Sequence, residues 1–126
     1  MKEDLEKLSM GFIKNHDFEL LEVSPERVIL KAPLTEKSMN PYDMAHGGLI
    51  FGLGDTAMGI LCRTTNRNAV TLNANINYLK PGKGEYLTAE SEMTKEGKNI
   101  CFLKANIYDS NHNLIANMNA TYYFIN

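Results

Sequence analysis

The spacing of hydrophobic residues separates one long apolar segment of this chain from several shorter segments in which apolar and polar residues alternate. From Gly48 to about Arg63 nearly every position is apolar, which is typical of a helix surrounded by protein on all sides. Three glycines interrupt this segment, and each costs about 1 kcal/mol of helix propensity relative to alanine. We therefore expect strands to pass close to the helix axis at Gly52, Gly54 and Gly59.

Alternating apolar and polar residues predict β-strands before and after this helix. From Val70 to Tyr78 the even-numbered positions are apolar, while the odd-numbered ones are Thr71 and asparagines, so one face should be apolar and the other polar. Short turns separate neighbouring segments, as is typical of an antiparallel sheet. The predicted strands cover residues 18–23, 27–34, 70–78, 85–95, 100–108 and 114–125, with a short amphipathic helix over 3–14 and a loop over 35–45.

These elements predict an α+β fold in which an antiparallel β-sheet of four or more strands wraps around one long central helix. A chain of 126 residues is long enough for one hydrophobic core and too short for two, so residues 1–126 are expected to form a single domain. The asparagine-rich face of residues 71–77 suits a subunit interface or a ligand cleft better than solvent. We therefore expect a homo-oligomer, either a dimer or a tetramer built from dimers.

Composition and charge argue against several classes of protein. Hydrophobic residues make up 44% and charged residues 22% of the chain, as in an ordinary globular protein. The net charge is −2 and the basic residues form no stripe, so nucleic-acid binding is not expected. The apolar segment is too short to span a membrane and the acidic N-terminus is unlike a secretory signal, so we expect a cytoplasmic protein with no membrane partner. Cys62 and Cys101 lack metal-ligand spacing and are expected to be reduced and buried.

The best indication of function is Asp55, the one carboxylate within the apolar segment 49–62. Burial of an ionised carboxylate without partners costs several kcal/mol, and a catalytic role is one reason for a protein to keep one there. The run His46-Gly47-Gly48 immediately precedes the helix. Asp55 follows Gly48 by seven residues, which places both on one face of the helix but about 10 Å apart along its axis.

Asn40, His46-Gly47-Gly48, Asp55 and the strand that ends in Tyr78-Leu79-Lys80-Pro81 together resemble the phenylacetic-acid-degradation (PaaI-type) acyl-CoA thioesterases. The resemblance extends over about residues 15–124. It implies a hotdog fold and hydrolysis of an aryl-, short- or medium-chain acyl-CoA to the free acid and CoA, without any cofactor beyond the coenzyme A of the substrate. Asp43 stands where the family often has glycine, and aspartate tolerates a left-handed backbone better than most residues.

The resemblance also implies roles for the residues of the motif. The amide of Gly47 would donate to the oxygen on which negative charge develops, with Gly48 in support. Asp55 would act either as general base on water or as a nucleophile that forms a mixed anhydride. Because one carbonyl cannot touch both groups on a single helix, we expect a composite site in which Gly47 of one subunit faces Asp55 of the other. Isolated monomers should then be inactive.

Several other residues are candidates for supporting roles. Asn40 either contacts the thioester or holds its loop, and His46 is expected to orient that loop as a hydrogen-bond donor. Thr71 matches a serine or threonine that positions water or the leaving sulfur in the family. Three lysines in turns beside strand ends could contact the phosphates of coenzyme A, namely Lys80, Lys83 and Lys98. No metal site is predicted.

Two alternative functions would use the same fold. A non-catalytic hotdog module could bind an acyl-CoA as a sensor or carrier, although such regulators usually carry a DNA-binding segment and the residues before His16 are too few for a helix-turn-helix. A hydratase or dehydratase would require His and Asp motifs that this chain lacks. Asp55 favours the thioesterase over the binding module.

Overall fold

The computed structural model of the chain describes residues 11–126. Its helices, numbered here in chain order, are α1 (Phe12–Asn15) and α2 (Gly47–Arg63), and a 3-10 turn covers Glu36–Ser38. Its strands are β1 (Glu19–Val23), β2 (Val28–Pro33), β3 (Ala69–Tyr78), β4 (Tyr86–Glu96), β5 (Ile100–Asp109) and β6 (Leu114–Phe124). These six strands form one antiparallel sheet in the order β1-β2-β4-β5-β6-β3.

The core lies between α2 and one face of this sheet. The helix contacts every strand from β2 to β6. Leu53 and Leu61 of the helix are completely buried, as are Leu87 and Ile107 of the sheet. The predicted α+β fold is confirmed, and the bounds of the strands and of the central helix differ from the predicted ones by at most one residue. Most of the helix predicted over 3–14 lies outside the described residues, which are helical at Phe12–Asn15.

One side of α2 is only partly covered by the sheet. Residues that recur every three or four positions along the helix are only partly buried, and we call this surface the open stripe. Its members are Gly47, Phe51, Gly52, Asp55, Thr56, Gly59 and Arg63. The expectation of a helix surrounded on all sides is therefore wrong for the single chain. A half-exposed stripe that includes Phe51 and three glycines suits contact with another surface.

β3 is an edge strand with a bulge near its start. Its register against β6 shifts between Thr71 and Asn73, so Leu72 is the extra residue. The bulge turns Thr71 towards the helix, whereas strict alternation would have put it on the outer face with the asparagines. Val70 and Leu72 are correspondingly 47% and 57% exposed, so the expectation that they lie on the apolar inner face is wrong.

The glycines of α2 differ in how closely other elements approach them. A Cβ at Gly54 would collide with the sulfur of Met118 on β6, so the expected close approach of a strand is confirmed there. At Gly52 the nearest atom belongs to Phe12 of α1, 2.5 Å from the Cβ position, so the neighbour is not a strand. At Gly59 the nearest atom is 3.6 Å away, which leaves room for a methyl group.

The two cysteines lie inside the core. Cys62 and Cys101 are free and completely buried, with their sulfur atoms 3.3 Å apart. Burial raises the pKa of both thiols above the ordinary value. Over residues 11–126, none of the helices combines the length and the apolar character that crossing a bilayer requires.

Candidate active site

Asp55 lies in the middle of α2 on the open stripe, and two hydroxyl groups from the sheet bond to its carboxylate. Thr71 Oγ1 donates to Asp55 Oδ1 over 2.9 Å, and Tyr122 Oη lies 2.5 Å from the same oxygen. Among the described residues, Oδ2 accepts no hydrogen bond. The carboxylate is therefore held through one oxygen while the other remains available. Thr71, for which we expected a role in positioning water or the leaving sulfur, donates its hydroxyl proton to Asp55.

Tyr122 was missed in the sequence analysis. It lies on β6 directly opposite Thr71 of β3 and is only 2% exposed. Burial first, and then the negative charge of Asp55, raise the pKa of the Tyr122 phenol above its ordinary value. One signal was present in the sequence, because Tyr122 occupies an inward position between Ala120 and Phe124 and a buried tyrosine hydroxyl requires a partner.

The start of α2 presents one unoccupied amide. His46 is the N-cap residue, and its Nδ1 accepts a hydrogen bond from the Gly48 N–H over 2.9 Å. The Gly48 amide is thus already occupied, which contradicts its expected support of the oxyanion. The Gly47 N–H, by contrast, has no acceptor among residues 11–126. His46 orients the loop as an acceptor through Nδ1, so its expected role as a donor is wrong for this nitrogen.

A cavity of about 290 Å³ adjoins Gly47. Tyr78, at the end of β3, donates its hydroxyl to the Gly47 carbonyl oxygen over 2.8 Å. A Cβ on residue 47 would lie 3.3 Å from that hydroxyl, so the absence of a side chain allows the close approach. Residues that line the cavity include Asn40, Met44, Gly47, Ile50, Tyr78 and Lys80. An apolar wall with a few polar groups beside a free amide suits an acyl group attached to a carbonyl.

Asn40 holds the loop that precedes α2. Its Oδ1 accepts hydrogen bonds from the backbone N–H groups of Tyr42 and Met44, over 2.9 and 3.2 Å. Of the two roles left open for Asn40, the structure therefore shows that of holding the loop, and Asn40 also lines the cavity. Asp43 has φ = 61°, so the predicted tolerance of a left-handed turn at this position is confirmed.

The three candidate lysines do not form one cluster within the chain. Lys80 lines the cavity, and Lys83 follows in the same loop between β3 and β4. Lys98 lies in the turn between β4 and β5, where its carbonyl oxygen accepts a hydrogen bond from Arg67 at the other end of the sheet. In the part of the chain described, no group of three or more His, Cys, Asp or Glu side chains is placed to hold a metal ion.

The carboxylate and the free amide both belong to α2, but the residues that carry them contact opposite ends of β3. Asp55 bonds to Thr71 near the start of β3, and Gly47 bonds to Tyr78 at its end. Eight residues of helix separate Gly47 from Asp55, which is about 12 Å along the axis. A single thioester carbonyl therefore cannot contact both groups of one chain.

A long helix wrapped by a six-stranded antiparallel sheet, with a tethered carboxylate in mid-helix and a free amide at the helix start, defines a hotdog-fold hydrolase. The profile of the Thioesterase superfamily matches residues 42–116, and the chain belongs to that family. It is therefore a thioester hydrolase, as the motif residues implied.

Individual known proteins agree with this classification. A candidate esterase of Thermoplasma acidophilum is 33% identical over 96% of this chain and 95% of its own length. The crystal structure of a Streptococcus mutans protein bound to acetyl-CoA matches 85% of this chain and 87% of that one, with TM-score 0.81 and 30% identity. The Escherichia coli PaaI structure matches 98% of this chain and 91% of its own, with TM-score 0.92. Its 21% identity makes this a likeness of fold, which confirms the predicted hotdog fold. The resemblance to the PaaI type is confirmed in sequence, since the Escherichia coli acyl-coenzyme A thioesterase PaaI is 32% identical over 56% of this chain and 51% of its own length.

Proposed function

We propose that this protein hydrolyses acyl-CoA thioesters at a site shared between two subunits, with Asp55 as base or nucleophile and the Gly47 amide as oxyanion donor. The observation that carries the proposal is that Asp55 and Gly47, about two helical turns apart on α2, contact opposite ends of the edge strand β3. Membership of the Thioesterase superfamily supplies the class of reaction. The acetyl-CoA bound to the similar Streptococcus mutans protein supports an acyl-CoA as the substrate.

The free edge of β3 suits a two-fold interface between subunits. Among the described strands, β3 pairs with β6 alone. Two copies of β3 paired antiparallel about an axis between Ala74 and Asn75 would place Thr71 of one protomer beside Tyr78 of its partner. Asp55 of each chain would then approach Gly47 of the other. The same contact would cover the open stripe of α2 and remove an unpaired sheet edge, which proteins otherwise protect.

In the proposed reaction Asp55 Oδ2 is the reacting oxygen. As a general base it takes a proton from water, whose oxygen attacks the thioester carbonyl, and it returns the proton to the sulfur as the carbon–sulfur bond breaks. As a nucleophile it attacks the carbonyl itself, expels the thiolate and leaves a mixed anhydride that water hydrolyses. In either route the carbonyl oxygen becomes negative and accepts a hydrogen bond from the Gly47 amide, strengthened by the positive potential of the helix start.

The cavity beside Gly47 is proposed to hold the acyl part of the substrate, with Met44 and Ile50 as apolar contacts. Lys80 and Lys83 at the same end of the molecule are proposed to contact the phosphates of coenzyme A. In a β3–β3 dimer, the turn that carries Lys98 of one subunit would approach the loop that carries Lys80 and Lys83 of the other. All three lysines would then lie near one bound substrate.

The test is release of free CoA thiol from a panel of aryl-, short- and medium-chain acyl-CoAs, with wild type and Asp55→Asn. We expect at least about a hundredfold lower kcat/KM in the variant, because asparagine can neither accept the proton nor form the anhydride. The matched control is Glu92→Gln, which removes the same charge from an exposed side chain paired with Lys104 on the outer face. It should retain wild-type activity.

Far-ultraviolet circular dichroism and the melting temperature establish that both variants are folded. Equal rates in wild type and Asp55→Asn would remove Asp55 from the mechanism. Tight binding of acyl-CoA by wild type without any thiol release would instead favour the non-catalytic module.

A further inference from the structure

We infer that Tyr122 is a positioning residue for catalysis: together with Thr71 it holds Asp55 Oδ1, which leaves Oδ2 as the oxygen that reacts. The inference rests on the proposed function and assigns a task to a residue outside the recognised motif. It also gives the two carboxylate oxygens different tasks, one structural and one chemical.

The geometry around Asp55 brings two donors to one acceptor atom. Thr71 and Tyr122 are register partners on adjacent strands. Tyr122 faces the helix through the regular alternation of β6, and the bulge at Leu72 turns Thr71 to the same side. Their hydroxyl oxygens lie 2.9 and 2.5 Å from Asp55 Oδ1. Hydrogen bonds from hydroxyl groups to a carboxylate are short and strong, so two of them restrict rotation of the Asp55 side chain.

Tyr122 has a second possible acceptor, since its hydroxyl also lies 2.6 Å from the backbone carbonyl oxygen of Asp55. A phenol has a single proton to donate. The backbone oxygen is in mid-helix, where it already accepts the bond from the amide four residues later, whereas the carboxylate is charged. The carboxylate is therefore the stronger acceptor, and the proton belongs on the bond to Oδ1.

The tyrosine is well suited to act as a fixed donor. Its side chain is almost completely buried, and its ring passes 3.6 Å from the Cβ position at Gly59, so packing fixes where the hydroxyl lies. Because the phenol pKa is raised by burial and by Asp55, Tyr122 keeps its proton at any pH at which the reaction is assayed. The donor is thus present whenever the base is ionised.

Cys62, which lies further along α2, is a second ionisable group that interacts with Asp55. Its thiol pKa is also raised, mainly by burial and with a smaller contribution from Asp55, so it stays neutral in the same range. Thr71 on β3 does not ionise. A difference in the acid limb between wild type and a variant at position 122 therefore reports the hydrogen bond to Asp55 Oδ1.

The closing experiment compares the pH dependence of kcat/KM for wild type, Tyr122→Phe and Tyr123→Phe. Loss of one donor to the ionised carboxylate should move the acid limb upward by about one pH unit. We also expect kcat on the plateau to fall about tenfold, because the carboxylate is aimed less precisely, with KM changed less than twofold. Tyr123 is the matched control, because it is the next residue of β6 but lies 44% exposed on the outer face. Its variant should match wild type.

A second substitution guards against a folding defect in Tyr122→Phe. 3-Fluorotyrosine at position 122 has nearly the size of tyrosine but is a more acidic phenol and a stronger donor, so it should move the acid limb downward. A shift of opposite sign in the two proteins supports the inference. A purely structural tyrosine would lower the melting temperature and leave both the acid limb and kcat at wild-type values, which would overturn it.

Failure of the inference is distinguishable from failure of the proposed function. If wild type cleaves acyl-CoA and Asp55→Asn does not, an unchanged acid limb in Tyr122→Phe and in the fluorotyrosine protein refutes the role of Tyr122 alone. If wild type cleaves no thioester in the panel, the proposed function fails and the role of Tyr122 fails with it.

Discussion

If the active site is shared between two subunits, two inactive variants with different defects should restore activity when mixed. A site contained within one chain would give no such recovery. One variant is Asp55→Asn, which lacks the base. The other is Gly47→Pro, which deletes the donated N–H. Proline is well tolerated at the first position of a helix, and His46 before it has φ = −62° and ψ = 135°, a conformation that suits a residue preceding proline. The exposed Tyr78 ring would have to move only slightly, since its hydroxyl lies 3.3 Å from the Cβ position.

The size of the effect follows from the statistics of dimer formation. Asp55 and Gly47 of one chain lie about 12 Å apart along α2, so in the proposed dimer they belong to different sites. Random pairing of two variants gives about half mixed dimers by two-fold statistics. Each mixed dimer contains one site with both defects and one with neither. The mixture should therefore recover about a quarter of wild-type activity, although each variant alone retains about 1% or less.

The assay is thiol release from acyl-CoA after the two differently tagged variants are produced together, with the mixed dimer isolated through both tags. The purified mixed dimer should show about half of the wild-type rate. The control pairs Asp55→Asn with the double variant Asp55→Asn/Gly47→Pro, which leaves no intact site and should recover nothing. A mixed dimer that is verified by mass and yet no more active than its parents would refute the shared site.

The packing of α2 and the core supports two further predictions. Gly59→Ala should raise the free energy of unfolding by up to about 1 kcal/mol because a Cβ fits there, whereas Gly54→Ala should lower it by about 1–3 kcal/mol because Met118 occupies the space. Urea unfolding of the two variants measures both effects, and equal effects would contradict the packing. Cys62 and Cys101 should react with an aromatic disulfide reagent at pH 8 only as fast as the protein unfolds, because both are buried and their thiol pKa values are raised. Rapid labelling of the folded protein would contradict this prediction.

Much of the fold was predictable because each element carries its own hydrophobic period. A continuous apolar segment gave the position of α2 within one residue, and alternation gave the strands of the sheet to the same accuracy. Asp55 was recognisable because a carboxylate in an apolar helix requires a partner. Asp55 therefore indicated the candidate site, even though its hydrogen-bond partners could not be identified from the spacing of residues.

The partners were not predictable, because they depend on pairing between strands. The extra residue Leu72 reverses the direction of Thr71, and nothing in the composition of residues 69–78 distinguishes a bulge from regular alternation. Tyr122 resembles any inward-facing aromatic residue until its register against Thr71 is known. The occupied amide of Gly48 likewise depends on the rotamer of His46, which the sequence does not specify.

The bulge in β3 also explains how one edge strand can serve both chemistry and assembly. A regular strand would alternate without interruption, so a hydroxyl at the position of Thr71 would point away from the helix whenever Ala74 and Ile76 point towards it. One extra residue lets Thr71, Ala74 and Ile76 all face α2, while Asn73 and Asn75 remain on the outer face. Because the extra residue lies near the start of the strand, the segment from Asn73 onward stays regular and free to pair along its edge. The bulge therefore allows the strand that places a donor on Asp55 to be the same strand that would pair with a second subunit in the proposed dimer.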